Sequence, residues 1–502
     1  MLHAPKHTLF FLSAVFSFMA LISYFFPAGG IHLGEKASLE FPTLASIFKT
    51  EEKEKKVDIS KILALADAEE KLLEAESDSN TTDIPKNNIE IKKDSAEIKS
   101  IESIDTSLKL VTVIQYKNGS KQSLNGFFSS LQNISSEPKS IRVLHYGDSQ
   151  IEGDRISDYL RLKLQNQFGG EGPGLISLMP VAPSVINRIS WSEGWDRYGI
   201  FAFKDKRVPH NNYGGLAHFS RFVNYRPISD SSSNLSAWVK IQTTKSGGAK
   251  AAGYSKLKLF YGGAKTKLAI DFYDGGVFKE SDSLVKGGTF NIKEYNVTPN
   301  SLNHELKFKG KDSPDFYGAS LEGNRGVMVD NIGLRGSSGT FFNQSNSSQL
   351  KQFYDYLNVK LIILQFGGNT LPYIKDKTQA QQYAGYLKSQ IYTIKKLAPN
   401  ASILVIGPAD MSVKVGTNYV THPVLEDLRN AIRQIAFDTD CAFFDMYDCM
   451  GGRNSMVAWV DQGIAAKDYV HFSPQGARKI ATLLYSSLIN DYNAFLKNQS
   501  KQ

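Results

Sequence analysis

Apolar runs that each stop at a turn of small and polar residues set the architecture of this 502-residue chain. Ile141-Arg-Val-Leu-His-Tyr146 stops at Gly147-Asp148-Ser149, and Val327-Met-Val329 leads into Asn331-Ile-Gly333-Leu-Arg-Gly336. Leu361-Ile-Ile-Leu-Gln-Phe366 stops at Gly367-Gly368-Asn369. Runs of this kind read as strands buried on both faces. Further strand-like runs at 402–407 and 442–446 alternate with helical spacing near 154–168, 380–397 and 423–437. Strands alternating with helices predict an α/β domain whose parallel sheet is covered on both faces. Such sheets gather their chemistry at the C-terminal ends of the strands, so the three turns are expected to face one another.

Those turns carry the parts of an acyl-transfer site. A serine hydroxyl is a poor nucleophile until a neighbouring base takes its proton, and histidine is the usual base near neutral pH. Ser149 would sit at a strand mouth. Far down the chain, Asp468-Tyr469-Val470-His471 supplies an imidazole and, three residues earlier, a carboxylate able to fix its tautomer. Ser473-Pro474 follows as a helix N-cap and first turn, which would pin that loop. The Asn369 amide and the backbone N–H groups of Gly336 and Ser149 could converge on one oxyanion. Losing one such donor typically costs on the order of 10²–10³ in rate.

In this order the segments resemble the SGNH (GDSL-type) hydrolases. The resemblance matches Ser149 to the family's block I serine and Gly336 to its block II glycine. It matches Asn369 to the block III asparagine, and Asp468 with His471 to the block V pair. It implies a flavodoxin-like parallel sheet, catalysis by Ser149, Asp468 and His471, an oxyanion hole of Ser149, Gly336 and Asn369, and neither metal nor cofactor. Residue 150 is Gln where the name motif has leucine, which leaves the chemistry untouched. No Gly-x-Ser-x-Gly elbow occurs, which disfavours an α/β-hydrolase.

Between about 181 and 325 the periodicity changes to two. Ala237–Gln242, Lys256–Tyr261, Lys267–Tyr273 and Glu305–Phe308 alternate apolar with polar residues, and Gly-rich turns separate them. An inserted β-sandwich, jelly-roll-like, is predicted. A helix, then His-Tyr-Gly-Asp-Ser-Gln, then Phe-Gly-Gly-x-Gly-Pro-Gly, then a β-module is similar to the bacterial peptidoglycan O-acetylesterases, in which that module resembles a carbohydrate-binding domain. The hydrolase would therefore occupy 113–180 and 326–502, on either side of the insertion.

Upstream, residues 1–30 hold an apolar run, Leu9 to Phe26, long enough as a helix to span roughly 27 Å. Its length favours an uncleaved signal anchor; a signal peptide cut near Ala28-Gly29-Gly30 is the alternative. No lipobox cysteine is present, which excludes a lipoprotein anchor. Residues 31–112 are rich in Glu, Lys, Ser, Asp and Asn and read as a disordered tether. Within it, Ile59, Ile62, Leu63 and Leu65 mark a short helix, expected to be solvated. The net charge of +8 is spread among acids, with no nucleic-acid-binding motif, so a nucleic-acid partner is not expected.

Single residues divide by expected role. His145 is expected to be packed, and Asp148 to hydrogen-bond the turn. Trp191 and Trp195 are candidates for stacking on sugar rings, Trp238 is expected in the core, and Arg335 is a candidate for an anionic substrate or a surface salt bridge. Cys441 and Cys449 are either a local disulfide or two buried thiols. The function expected is a serine esterase removing O-acetyl groups from a cell-envelope glycan, with peptidoglycan the implied polymer. It would act on the periplasmic side, tethered to the inner membrane. An O-acetyltransferase using the same triad, or a non-catalytic glycan-binding envelope protein, is the alternative.

Overall fold

The computed structural model describes residues 4–27, 31–32, 38–39, 57–79, 114–201, 204–225, 233–244 and 249–500. It divides into one unit over residues 1–56 and another over 57–502. In the first, the helix Ala4–Phe25 contains His7–Phe25, 19 residues of mean hydropathy 2.0, long and apolar enough to cross a bilayer. Most of the expected tether (33–37, 40–56 and 80–113) lies outside the described residues.

The second unit is built on a mostly parallel sheet. Its parallel strands are β1 (Ile141–Gly147), β2 (Val327–Gly333), β3 (Val359–Gln365), β4 (Ser402–Ile406) and β5 (Ala442–Phe444). They lie in the order β2-β1-β3-β4-β5, and Ile114–Gln115 adds an antiparallel edge to β5. A parallel, doubly wound sheet of this kind is what the family resemblance implied. β1 is central and all seven of its residues are buried, which is why it reads as an almost unbroken apolar run. The sheet reverses direction of growth between β1 and β3, the place where such folds bind ligands.

The inserted module is a sandwich of two antiparallel sheets. One runs Asn291–Asn296, Lys256–Gly262, Asp315–Glu322, His218–Arg221, Asp196–Gly199, with Gly174–Ile176 also paired to Asp315–Glu322. The other runs Val277–Leu284, Leu268–Asp274, Asn303–Gly310, Leu235–Thr243, Asn187–Trp191. Pairing by Gly174–Ile176 starts the sandwich before residue 181, because that short strand completes a sheet edge. Leu257, Leu259, Ile270, Phe272, Leu306 and Phe308 fill the space between the sheets. These are the inward positions of the period-two pattern.

Buried ions join the sandwich to the hydrolase. Arg142 of β1 donates to Asp330 of β2 at 2.7 Å, to Ser320 at 2.9 Å and to Glu322, the last two on a sandwich strand. Asp330 also accepts the Leu175 N–H at 2.7 Å. Removing one partner would strand a buried charge, typically a loss of about 3–5 kcal/mol.

The segment expected as a solvated helix is instead docked. Helix Ser60–Ser79 lies on the C-terminal helix Pro474–Gln499, and Ile59, Ile62, Leu65 and Ala66 are all buried. Its acids meet bases across the interface, Asp67 with Lys479 and Glu70 with Arg478, and Ser486 donates to Glu69 at 2.8 Å. Gly451 leaves room for Ile59 and Ile62, whose atoms would lie 3.0 and 3.3 Å from a Cβ at that position. A narrow apolar stripe in a polar segment needs a second helix to cover it, and here the hydrolase provides one.

Candidate active site

β1 delivers Ser149 to the open end of the sheet. Gly147 closes the strand, and a Cβ there would come within 2.9 Å of Ile151 and 3.1 Å of the Gln365 carbonyl. Only glycine lets β1 and β3 approach this closely just before the turn. The Ser149 Oγ lies 2.8 Å from His471 Nε2, and His471 Nδ1 lies 2.8 Å from Asp468 Oδ2. This geometry has Nδ1–H donating to the carboxylate, which leaves Nε2 to accept the serine proton.

The loop carrying the imidazole is shaped by its own carboxylate. Asp468 Oδ1 accepts the Val470 N–H at 2.9 Å and the His471 N–H at 3.0 Å. Partial burial raises the Asp468 carboxyl. The His471 backbone and ring hydrogen bonds and the Val470 N–H outweigh it, leaving the group below its ordinary range. Tyr469 adopts the left-handed conformation at φ +58°, uncommon for a non-glycine residue. Its ring stacks on Tyr419, with centroids 3.7 Å apart, and its carbonyl accepts the Ser412 N–H at 3.1 Å. Ser412 and Tyr419 belong to the hairpin Ser412–Val415 and Asn418–Thr421. Behind the loop, Ser473 caps helix Pro474–Gln499, accepting the Gly476 N–H at 3.3 Å.

Gln150 spans the two sides of the site. Its Nε2 donates to the Val470 carbonyl at 2.5 Å, tying the serine turn to the histidine loop. Asp148 is buried and accepts the Gln150 N–H at 3.0 Å. Burial pushes its carboxyl up to about 6, against the opposing pull of the Gln150 N–H and His471.

The remaining turns close around this pair. Gly336 is left-handed, at φ +79°. Asn369 Nδ2 donates to the Ser337 carbonyl at 3.2 Å, which orients the amide and leaves its second N–H uncommitted to that bond. The block III turn runs over Asp148, whose Oδ2 would lie 3.4 Å from a Cβ on Gly368. The next loop is held by the Tyr383 hydroxyl, which donates to the Ser338 carbonyl at 2.7 Å. Serine, imidazole, carboxylate and amide are thus gathered at the ends of β1, β2 and β3 and at the start of the last helix. Chemically, the set can abstract a proton from a hydroxyl and receive charge on a neighbouring carbonyl oxygen.

Other expectations resolve differently. His145 is buried between Gln365 Oε1 and Ser157 Oγ, each at 3.0 Å, and burial pulls it down to about 4, so it is neutral and structural. Arg335 makes a two-pronged ion pair with Glu152, at 2.6 to 3.1 Å, so the salt-bridge alternative describes it. Trp195 does not face a sugar. Its ring packs 5.6 Å from Phe222 and Phe316 in the sandwich core, just before the strand Asp196–Gly199. Trp191, on an edge strand, is partly buried against that core. Trp238 faces outward on Leu235–Thr243 with Lys240 5.0 Å from its ring, not into the core as expected. Cys441 and Cys449 are free, and burial pushes Cys441 up to about 11 and Cys449 upward as well.

Sequence reasoning passed over Gln150 and the Ser412–Thr421 hairpin. The departure at position 150 was the available signal, since it places a long amide next to Ser149. The hairpin carries no motif.

Residues 286–479 match the model of the GDSL-like lipase/acylhydrolase family. The match includes Gly336, Asn369, Asp468 and His471, while Ser149 lies upstream of it, across most of the inserted module. A peptidoglycan O-acetylesterase structure is similar in fold at a TM-score of 0.59 and 21% identity, covering 76% of this chain and 99% of that one. An acetyl xylan esterase matches at 17% identity over 32% of this chain and 81% of its own, TM-score 0.26. A family two carbohydrate esterase from Cellvibrio japonicus matches at 12% identity over 62% of this chain and 100% of its own, TM-score 0.23. No curated protein matches the sequence.

Proposed function

We propose that this chain, whose residues 286–479 match the GDSL-like lipase/acylhydrolase family, is a serine esterase that removes O-acetyl groups from a cell-envelope glycan, peptidoglycan first among them. The observation that carries the reading is the relay from Ser149 through His471 to Asp468, with both links at 2.8 Å. Ser149 Oγ attacks the acetyl carbonyl while its proton passes to His471 Nε2. The Ser149 and Gly336 N–H groups and the Asn369 amide receive the negative charge on the carbonyl oxygen. The bond to the sugar oxygen then breaks, and His471 returns the proton to that oxygen. Water attacks the acetyl-serine, giving its proton to His471; acetate leaves and Ser149 recovers its hydrogen.

Hydrolysis is favoured over transfer by one observation. The Asp468 and His471 side chains are 50% and 32% exposed, which gives water a path to the base. Peptidoglycan is favoured because the structural likeness to a peptidoglycan O-acetylesterase extends over 76% of this chain, enough to require both hydrolase and insertion. The apolar helix near the N-terminus would hold the enzyme at a membrane, with its catalytic unit on the periplasmic side.

The test is acetate release from purified O-acetylated peptidoglycan. Ser149→Ala is expected to lower it by a factor of about 10⁴ or more with the melting temperature preserved. Retained turnover in that variant rejects the assignment.

A further inference from the structure

Behind the serine turn, a cleft of about 100 Å³ opens between the hydrolase and the sandwich. Its hydrolase wall adjoins the serine turn through backbone bonds: the Glu152 N–H bonds to the Ser149 carbonyl at 3.3 Å, and the Leu334 N–H to the Gly147 carbonyl at 2.8 Å. The sandwich wall contributes Ile189, Arg197 and His218, with Leu175, Val181 and Leu216 among the apolar lining. An apolar cavity with a few convergent polar groups is the usual form of a small-ligand site.

The cleft is lined by two acids, Glu152 and Asp154, and two arginines, Arg161 and Arg197, and an arginine from outside the lining, Arg335, also pairs with Glu152. Glu152 is taken by Arg335, and Asp154 by Arg161 at 2.8 and 2.9 Å. His218 Nε2 lies 2.7 Å from the Ser177 hydroxyl and its Nδ1 2.9 Å from the Leu216 carbonyl, so the ring uses its one proton inside the fold. Burial and the neighbouring Arg197 charge pull His218 well below its ordinary range, so it adds no positive charge. That leaves Arg197. Its Nε is buried with no hydrogen-bond partner, and it forms no ion pair among the described residues. Burial pulls its guanidinium down to about 10, with Glu152 opposing, and it stays charged near neutral pH. Arg197 is half-buried, its Nε lacks a partner, and a guanidinium is the group best shaped to grip a carboxylate with two parallel hydrogen bonds.

We propose that this cleft is a subsite for a carboxylate carried by the acetylated glycan, with Arg197 as the cation that receives it. The proposal rests on the esterase reading and narrows its substrate to acetylated glycans bearing carboxylates next to the ester. The carboxylate comes either from the sugar itself, as in a lactyl ether, or from a peptide attached to it. Arg197 acts in binding and takes no part in proton transfer.

The test uses the full chain and measures binding apart from turnover. Calorimetry compares N-acetylmuramic acid, an acetyl-capped D-alanyl-D-alanine and neutral N-acetylglucosamine against the natural protein, Arg197→Gln and Arg197→Lys. The expected result is that one acid binds the natural protein at least about tenfold more tightly than N-acetylglucosamine, and that Arg197→Gln abolishes this preference while Arg197→Lys keeps part of it. Whichever acid is preferred names the source of the carboxylate. Equal binding of acid and neutral sugar by the natural protein, or an undiminished preference in Arg197→Gln, overturns the proposal. Melting supplies an independent arm: losing an uncompensated charge should leave Arg197→Gln at least as stable as the natural protein, and a clear drop would mark the arginine as structural and overturn the assignment. In turnover, Arg197→Gln should reduce the ratio of kcat/KM on a carboxylated over a neutral acetylated glycan about tenfold, through KM. Ser149→Ala decides the esterase reading separately, because ligand binding needs no active serine.

Discussion

The two halves of the candidate active site are held by different physics. Ser149 ends a strand whose seven residues are buried, beside a carboxylate with 4% exposure at Asp148. Asp468 and His471 lie on a half-exposed loop outside the parallel sheet, fixed by a carboxylate that accepts two of the loop's own N–H groups. A tyrosine stack, the Gln150 amide and a helix cap complete that loop. The serine side is positioned by packing, which is insensitive to any one polar contact. The histidine side is positioned by a few polar contacts, each of which matters.

Among the groups that position the two catalytic side chains, the largest expected effect is therefore on the histidine side. Asp468→Asn should lower kcat on an acetyl ester by about 10³–10⁴, because the amide favours the wrong imidazole tautomer and weakens the loop's turn. Steady-state kinetics at neutral pH checks this, and a loss under tenfold would show that packing alone holds His471.

Asp148 tests the buried side through stability. Its folded carboxyl is raised from 3.8 to about 6, so the folded state binds more protons than the unfolded state between those values. Stability should fall as pH rises from about 4 to about 6, with a ceiling of roughly 3 kcal/mol for a shift of about two units. Urea melts across that window should show the slope in the natural protein and a flatter one in Asp148→Asn. Identical slopes would mean that Asp148 is not desolvated.

Gln150 bridges the halves and should have the smallest effect. Gln150→Leu keeps the bulk but loses the bond to the Val470 carbonyl, and a fall of about tenfold in kcat is expected, near 1.4 kcal/mol. The melting temperature should hardly move, since the contact orders the loop and not the core. An unchanged kcat would leave the hairpin and the Asp468 turn as sufficient supports.

The same division explains what the sequence revealed. β1, β3, β4 and β5 were legible because strands buried on both faces leave unbroken apolar runs, and Ser149, Asn369 and the Asp468–His471 pair were legible because they adjoin such runs or a helix cap. Gly174–Ile176 was not, since a three-residue edge strand has no periodicity to read. Trp195 was ambiguous because it lies in a Gly/Ser-rich stretch just before a strand, where no periodicity assigns a face. The docking of helix Ser60–Ser79 and the Tyr419–Tyr469 stack are contacts between segments distant in sequence or without regular pattern, and no local signal announces them. Arg197 was hidden for the same reason, as its isolation is defined by partners that other residues take.

The central claim is that Ser149 is a nucleophile activated by His471, and covalent trapping tests it most directly. The full chain would be treated with a serine-reactive sulfonyl fluoride or an activated acyl ester, and the modified peptide located by mass spectrometry. The account predicts one adduct on Ser149 that forms at least about 10³ times more slowly in His471→Ala. Modification at another residue, or equal labelling of Ser149 with and without the imidazole, would contradict it.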